Sequence, residues 1–176
     1  NAQYRVALTG SVNRKDAILW QRMQALFHKP IIKITNDTLI NLGHSAKLKI
    51  TIFPIVSPKG YDAVDYMQAR ENCIVKNEYR NTLITHLTKQ AYTQGKGVLI
   101  LVNIVEHGDT LTEQLTAMGV HNVFIHGEQD LEYRDAQLSA MRAGTIKVMI
   151  ATTIADEGLD ISGIDVTTIP MNDEKV

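Results

Sequence analysis

The sequence predicts an α/β protein with a mostly parallel sheet that carries helices on both faces. In the second half of the chain, short apolar runs alternate with helical patterns of about a dozen residues. Two of these helical patterns stop at a glycine, Gly119 and Gly144, where helices commonly end. Strands that alternate with helices form right-handed βαβ units, and such units build a parallel sheet covered on both sides.

The first part of the chain predicts fewer regular elements. Residues 4–8 form a short apolar run that predicts a strand, and residues 31–34 predict another. Between these strands a helical pattern begins at Asp16. Residues 36–45 contain many turn-forming residues and mark the expected domain boundary. Apolar residues then alternate along residues 48–56, which predicts a half-buried strand.

The second part predicts a helix followed by alternating strands and helices. The helix is expected around residues 79–92, with an apolar stripe formed by Leu83, Leu87 and Ala91. The strands are predicted at residues 98–102, 123–125, 148–150 and 166–169. Two amphipathic helices lie between the first three strands, with stripes formed by Leu111, Leu115 and Met118 and by Leu131, Leu138 and Met141.

The composition is that of an ordinary globular chain. The hydrophobic fraction is 44%, the charged fraction is 21% and the formal net charge is -1. This balance gives no global attraction to nucleic acid, although it leaves room for a local basic groove. The single cysteine, Cys73, cannot form an internal disulfide and suits a reducing compartment. No apolar run approaches the roughly 18 residues of a membrane span, so we expect a cytoplasmic protein with no membrane partner.

Polar loops follow three of the predicted strands, at residues 103–108, 126–130 and 152–160. In parallel sheets, ligands bind beyond the carboxyl ends of the strands, so these loops are the candidate site. The loops repeat a His-Gly-acid pattern, which we interpret as a tight turn at glycine with an acid at a helix start. The histidine spacing does not fit a metal site, and Gly95-Lys96-Gly97 precedes a strand, unlike a Walker A loop. No complete catalytic constellation is present.

The third loop contains both hydroxyls and carboxylates. Thr152 and Thr153 offer hydroxyl and backbone N–H groups, which suit a phosphate oxygen. The acids Asp156, Glu157 and Asp160 suit a ribose hydroxyl or an arginine instead, because like charges repel phosphate. The loop could therefore contact a nucleic-acid backbone and a nucleotide sugar. A capped turn with solvated acids is the alternative.

Four stretches of the sequence resemble superfamily-two helicases, the RecA-like ATP-driven motors. They occur in the family order, as ALTGS for motif III, VLILVNIVEHGDTLTEQL for motif IV, VFIHGEQDLEYR for the element after it, and IATTIADEGLDI for motif V. The forms of motifs III and IV are most similar to those of bacteriophage branch-migration and DNA-repair helicases. That similarity implies a bacterial cell or a phage-infected host cell as the source.

The resemblance implies a domain organisation and a set of site residues. Residues 1–34 would be the tail of a first RecA-like domain, residues 35–46 a linker, and residues 47–176 an incomplete second RecA-like domain of the helicase C-terminal type. Motif III residues would couple nucleotide state to domain closure, namely Thr9, Gly10 and Ser11. Residues on the nucleic-acid side would be Thr152, Thr153, His107 and Arg134. For Arg134, an ion pair on the surface of a helix is the alternative. Residues that face the nucleotide would be Glu157, Gly158 and Asp160.

The resemblance also implies a function. The chain would be the second motor lobe of an ATP-dependent DNA helicase or translocase, with ATP and Mg²⁺ as cofactors of the whole protein. Its partners would be nucleic acid, DNA more than RNA, and the rest of the first RecA-like domain. These 176 residues contain no P-loop, no acidic metal-binding motif and no arginine-finger segment, so we expect no activity from them alone. A non-enzymatic α/β module that binds nucleic acid or protein is the alternative.

Overall fold

A computed structural model describes residues 6–7, 16–28, 32, 34–55, 65–152 and 164–168. The chain forms two compact units, Asn1–Ile52 and Phe53–Val176. The predicted boundaries at residues 34 and 46 stay a prediction. Most of the strands predicted at residues 4–8 and 31–34 lies outside the described residues, as do the motif III residues Thr9, Gly10 and Ser11.

The first unit contains two capped helices. Helix α1 is Ala17–Phe27, and the Asp16 side chain accepts a hydrogen bond from the Leu19 N–H at 2.9 Å. This confirms the helix predicted to begin at Asp16. Helix α2 is Asn36–Asn41, within the stretch predicted to be irregular. The Thr35 hydroxyl caps it by accepting from the Thr38 N–H at 3.3 Å, so turn-forming residues here start a short helix.

The half-buried strand predicted at residues 48–56 is wrong for the part that the structure describes. Residues 46–55 contain no strand, and Leu48, Ile50 and Ile52 are 76%, 74% and 78% exposed. An alternating pattern shows which side chains would share one face of a strand. A strand also needs a neighbour for its backbone hydrogen bonds, and the described strands form a sheet without this segment.

The second unit is built on a four-stranded parallel sheet. The strands are β1 Val98–Leu101, β2 Asn122–Ile125, β3 Val148–Ala151 and β4 Val166–Thr168. Their order across the sheet is β2-β3-β1-β4, and every neighbouring pair is parallel. This confirms the predicted strands and their parallel arrangement.

Helices connect and cover these strands. They are α3 Tyr66–Arg70, a π-helix Glu71–Val75, α4 Glu78–Thr93, α5 Val105–Ala117 and α6 Leu131–Arg142. Helices α5 and α6 are followed by Gly119 at φ 74° and Gly144 at φ 73°. These left-handed conformations confirm the two glycines as helix stops, since glycine adopts them at little cost.

The hydrophobic core lies on both faces of the sheet. Alternate residues of a strand point to opposite faces, and Val98 and Ile100 pack with Leu111 of α5 on one face. On the other face, Leu99 packs with Leu138 of α6. The sheet is therefore covered by helices on both sides, as the sequence predicts. In parallel sheets of this kind, ligands bind at the edge where the carboxyl ends of the strands meet.

Candidate nucleic-acid interface

The carboxyl ends of the central strands form one continuous edge, which we call the carboxyl edge. Ala151 lies beside Ile125 in the register of β3 and β2. The Val102 N–H donates to the Ala151 carbonyl oxygen at 2.8 Å, and the Thr152 N–H donates to the Ile125 carbonyl oxygen at 3.2 Å. Val102 and Thr152 are thus each bonded through the backbone to the last residue of a neighbouring strand, and His126 directly follows Ile125.

Thr152 lies at the end of β3, on the carboxyl edge. It is 8% exposed, and its backbone N–H is already bonded to the Ile125 carbonyl. The hydroxyl is therefore the group that Thr152 has to offer a phosphate, and the N–H is not, which narrows the sequence prediction. Thr153, Glu157, Gly158 and Asp160 lie outside the described residues, and their roles stay predictions.

His107 is buried in the second unit and does not lie on a loop. Residues 105–108, predicted as part of a loop, belong to α5, and His107 is 1% exposed. Its Nε2 lies 2.9 Å from Oδ1 of Asn81 in α4. Burial, together with a smaller effect of the positive charge of Arg80, lowers the pKa of His107 to about 4. A role on the nucleic-acid side stays a prediction, and burial restricts that role to positioning other groups.

Asn81 joins three elements through its side chain. It is 2% exposed and donates through Nδ2 to the Val75 carbonyl oxygen of the π-helix at 2.8 Å. Its Oδ1 is therefore the atom that accepts from His107, which places the proton of the neutral imidazole on Nε2. The hydrogen bonds Val75–Asn81–His107 form a buried polar chain that connects the π-helix, α4 and α5.

The buried face of α4 is more polar than the sequence suggests. The predicted stripe was Leu83, Leu87 and Ala91, and only Ala91 of these is fully buried. The buried residues of this helix are Asn81, Ile84, Thr85, Thr88 and Ala91. The buried face differs from the predicted stripe because Asn81 and Thr85 form hydrogen bonds within the fold, which allows these polar side chains to be buried. The helical spacing of Asn81, Thr85 and Thr88 in the sequence could have predicted this buried face.

Thr88 is the exception on this face, because its buried hydroxyl has no hydrogen-bond partner among the described residues. Thr88→Val keeps the shape of the side chain and removes the unpaired group. We expect the free energy of unfolding to rise by about 1 kcal/mol, measured by urea denaturation. Thr85→Val is the matched control, since the Thr85 hydroxyl donates to the Asn81 carbonyl oxygen at 3.0 Å and its loss should destabilise the protein. An equal decrease in the free energy of unfolding for both variants would show that the Thr88 hydroxyl is not an unpaired group.

Gly108 lies within α5 and is not the tight turn that the His-Gly pattern predicts. A β-carbon at this position would lie 2.2 Å from Cζ of Phe124 in β2 and 2.5 Å from its Cε2. Such distances are far inside van der Waals contact. Gly108 therefore allows α5 to approach the sheet closely, and this packing explains the glycine better than backbone conformation does.

The turn after β2 is fixed by the side chain of Gln129. The His126 N–H donates to Gln129 Oε1 at 3.0 Å, and Gln129 Nε2 donates to the Phe124 carbonyl oxygen at 3.2 Å. The ring of His126 lies against that of Phe124, with centroids 5.1 Å apart and planes tilted by 37°. His126 is not among the residues predicted for the site, although it follows a predicted parallel strand, where ligands commonly bind.

Arg134 lies near the start of α6, where its backbone N–H donates to the Asp130 carbonyl oxygen at 3.1 Å. The residue is half-buried, and its Nε is buried without a hydrogen-bond partner in the described part of the chain. No ion pair of Arg134 occurs there either. The described residues therefore do not form the surface ion pair that is the alternative role for Arg134.

The described ranges contain neither a metal-binding cluster nor a membrane-spanning helix. No cluster of three or more His, Cys, Asp or Glu side chains suited to a metal ion occurs among residues 6–7, 16–28, 32, 34–55, 65–152 and 164–168. Within the same ranges, no helix has both the length and the hydropathy of a membrane span.

Comparison with known proteins identifies relatives of the second unit. Residues 78–171 match the family described as helicase conserved C-terminal domain. The PRP28 pre-mRNA-splicing ATP-dependent RNA helicase of Pyricularia oryzae is 32% identical over 104 residues, which is 58% of this chain and 15% of that protein. The ATP-dependent RNA helicase DBP2 of Candida glabrata is 32% identical over 88 residues, which is 50% of this chain and 16% of that protein. The chain thus spans only a small part of the length of these relatives.

Among solved structures, the DEAD-box protein SrmB of E. coli, bound to regulator of ribonuclease activity A, is similar with a TM-score of 0.42. The two are 27% identical, and the match covers 48% of each chain.

The finer resemblance predicted from the sequence finds no support in these relatives. They are named RNA helicases, whereas a bacteriophage DNA-repair helicase and a bacterial or phage source were expected. That expectation rested on the short forms of motifs III and IV. The remaining nucleic-acid contacts proposed for the chain are to the phosphate backbone, which DNA and RNA share, so they do not distinguish the two. The broader resemblance is confirmed, since the match covers more than half of the residues and includes all four strands. The chain belongs to the helicase conserved C-terminal domain family.

Proposed function

We propose that the chain is the second motor lobe of an ATP-dependent RNA helicase. The observation that carries this proposal is the family match over residues 78–171, which contains the parallel sheet and Thr152 on its carboxyl edge. In this role the lobe contacts the nucleic-acid backbone and closes one side of an ATP cleft. The names of PRP28 and DBP2 favour RNA over DNA as the track.

Within the proposed lobe, the loop after β3 divides its work between two ligands. The hydroxyls of Thr152 and Thr153 contact a backbone phosphate. Gly158, Asp160 and the neighbouring Glu157 face the nucleotide. This division rests on the sequence resemblance for every residue except Thr152, whose place on the carboxyl edge supports it.

ATP hydrolysis would need groups that a first lobe supplies. The chemistry of phosphoryl transfer requires a phosphate-binding loop with its lysine and an acidic ligand for Mg²⁺. These 176 residues contain no such loop, and the described residues gather no metal-binding carboxylates. We therefore expect the chain alone to bind RNA weakly and to show no RNA-stimulated ATPase activity.

The test is binding of a short fluorescent single-stranded RNA, measured by anisotropy at low salt, with DNA of the same base sequence as competitor. The double variant Thr152→Ala with Thr153→Ala should lower the RNA affinity roughly tenfold, because it removes hydroxyl donors to a charged phosphate. The affinity of the unaltered chain should fall steeply as salt rises.

A matched control changes two threonines that lie away from the carboxyl edge, where α4 and α5 end and the next strands begin. Thr93 and Thr116 are exposed near the carboxyl ends of α4 and α5, so Thr93→Ala with Thr116→Ala should leave RNA affinity unchanged. No RNA binding by the unaltered chain at low salt would contradict the proposed function. Tighter binding of DNA than of RNA would contradict the choice of track alone.

A further inference from the structure

The outer side of β2 is closed by the side chain of one glutamine. β2 is the outermost strand on one side of the described sheet. The Ile125 carbonyl oxygen accepts from the Thr152 N–H, so it faces β3. Backbone groups of successive strand residues point to opposite sides, so the Phe124 carbonyl and the His126 N–H face outward. Both of these outward groups are hydrogen-bonded to Gln129.

The Gln129 amide takes the place of one residue of a neighbouring strand. In a parallel ladder, such a residue donates its N–H to one carbonyl and accepts from the N–H two residues later. Gln129 does the same, since Nε2 donates to the Phe124 carbonyl oxygen at 3.2 Å and Oε1 accepts from the His126 N–H at 3.0 Å. A further strand cannot pair with these two groups while the amide occupies them.

The first unit contains a segment with the character of an unpaired strand, residues 47–52. The segment belongs to no helix or strand, and its backbone forms no hydrogen bond within the described part of the chain. Every second residue is apolar and exposed, namely Leu48, Ile50 and Ile52. Extended segments of this kind bind proteins by adding a strand to an open sheet edge, where main-chain hydrogen bonds supply the affinity.

Charge favours the outer side of β2 over another copy of the segment as the place where residues 47–52 pair. Lys47 and Lys49 are exposed at the amino end of the segment, and Glu128 and Asp130 are exposed just after the carboxyl end of β2. In an antiparallel pair these two ends meet, and their opposite charges attract. Two copies of the segment would instead bring lysines together. Antiparallel strands at the edge of a parallel sheet are common.

We propose that Gln129 blocks strand addition at the outer side of β2 by residues 47–52 of a second copy of the chain. While the amide is in place, the two outward groups of β2 are occupied and the chains stay apart. Without it, each copy supplies one open edge and one segment, so reciprocal exchange closes as a dimer. The proposal concerns self-association and does not depend on the proposed RNA ligand.

The first experiment measures self-association of the whole chain by sedimentation velocity at low ionic strength. Gln129→Ala frees both outward groups of β2, so the dimer should form at a roughly tenfold lower protein concentration than for the unaltered chain. Gln90→Ala is the matched control, because Gln90 is exposed on α4 and should leave association unchanged. A Gln129→Ala variant that associates no more than the unaltered chain overturns the proposal.

A second substitution separates strand addition from aggregation of a misfolded variant. In the Gln129→Ala background, Ile50→Lys places a charge in the apolar row of the segment and should return the chain to the monomer. Hydrogen exchange of the backbone amides at residues 48–52 should be slower in the dimer than in that monomer. Circular dichroism establishes that both variants are folded. Association that persists after Ile50→Lys overturns residues 47–52 as the added strand.

Charge reversal tests where the segment pairs and in which direction. In the Gln129→Ala background, Lys47→Glu with Lys49→Glu should lower the dimer affinity roughly tenfold, because acids then meet acids. Adding Glu128→Lys with Asp130→Lys should restore the affinity, since both sets of charges are then reversed. Failure of the second pair of substitutions to restore the dimer overturns antiparallel pairing beside β2.

Discussion

Gly108→Ala is expected to lower the free energy of unfolding by about 3 kcal/mol, the upper part of the usual range for overpacking a core. The added β-carbon would lie 2.2 Å from the Phe124 ring, and that ring packs in the core between α5 and the sheet. Alanine normally stabilises a helix by about 1 kcal/mol relative to glycine, so any net loss comes from the clash. Urea denaturation followed by circular dichroism measures the change.

A double-mutant cycle shows whether Phe124 is the cause. Phe124→Leu shortens the ring side chain, so Gly108→Ala should cost less in that background than in the unaltered chain. Glu113→Ala is the control for substitution in the same helix, because Glu113 is exposed and its loss should have little effect. Additive losses in the double variant would contradict the proposed contact.

The second large effect concerns the pH dependence of stability. The pKa of His107 is lowered from 6.5 to about 4 in the folded protein, mainly by burial. The unfolded chain therefore binds the proton more readily than the folded one. The contribution of neutral His107 is fully present above pH 6.5 and is lost as the pH falls through this window toward 4. The pKa difference corresponds to a loss of about 3 kcal/mol.

The measurement is urea denaturation at several pH values across the same window. His107→Gln carries no titrating ring, so its stability should fall less with acidification than that of the unaltered chain. Carboxylates also titrate in this range, and the difference between the two proteins removes their common contribution. His86→Gln, an exposed change on α4, serves as the control for the substitution itself. Identical pH profiles for the unaltered chain and His107→Gln would show that His107 is not buried in the neutral form.

The sequence predicts the second unit well because its signals are local. The strands of this unit are short apolar runs, and Gly119 and Gly144 end helices by a backbone conformation that glycine favours. The carboxyl edge then follows from the parallel arrangement, which places Thr152 without knowledge of side-chain contacts.

Long-range packing explains what the sequence did not show. Gly108 and His107 form a His-Gly pattern that suits a turn, and their actual roles depend on Phe124 and Asn81, which are distant in the sequence. The unpaired nitrogen of His126 is likewise visible only when every neighbour of the ring is placed. The alternating pattern of residues 48–56 also predicted a strand that the described residues do not form. Such a pattern does not show whether a partner strand is present.

The exposed segment around Ile50 also affects how the chain behaves in solution. Leu48, Ile50 and Ile52 present an apolar row to solvent, and Lys47 and Lys49 alternate with it. Lysines on such a segment oppose pairing between molecules, because their charges repel. Salt screens this repulsion and also weakens nucleic-acid binding. We therefore expect added salt to promote self-association of the chain and to weaken the proposed RNA binding, so opposite salt responses would distinguish the two processes.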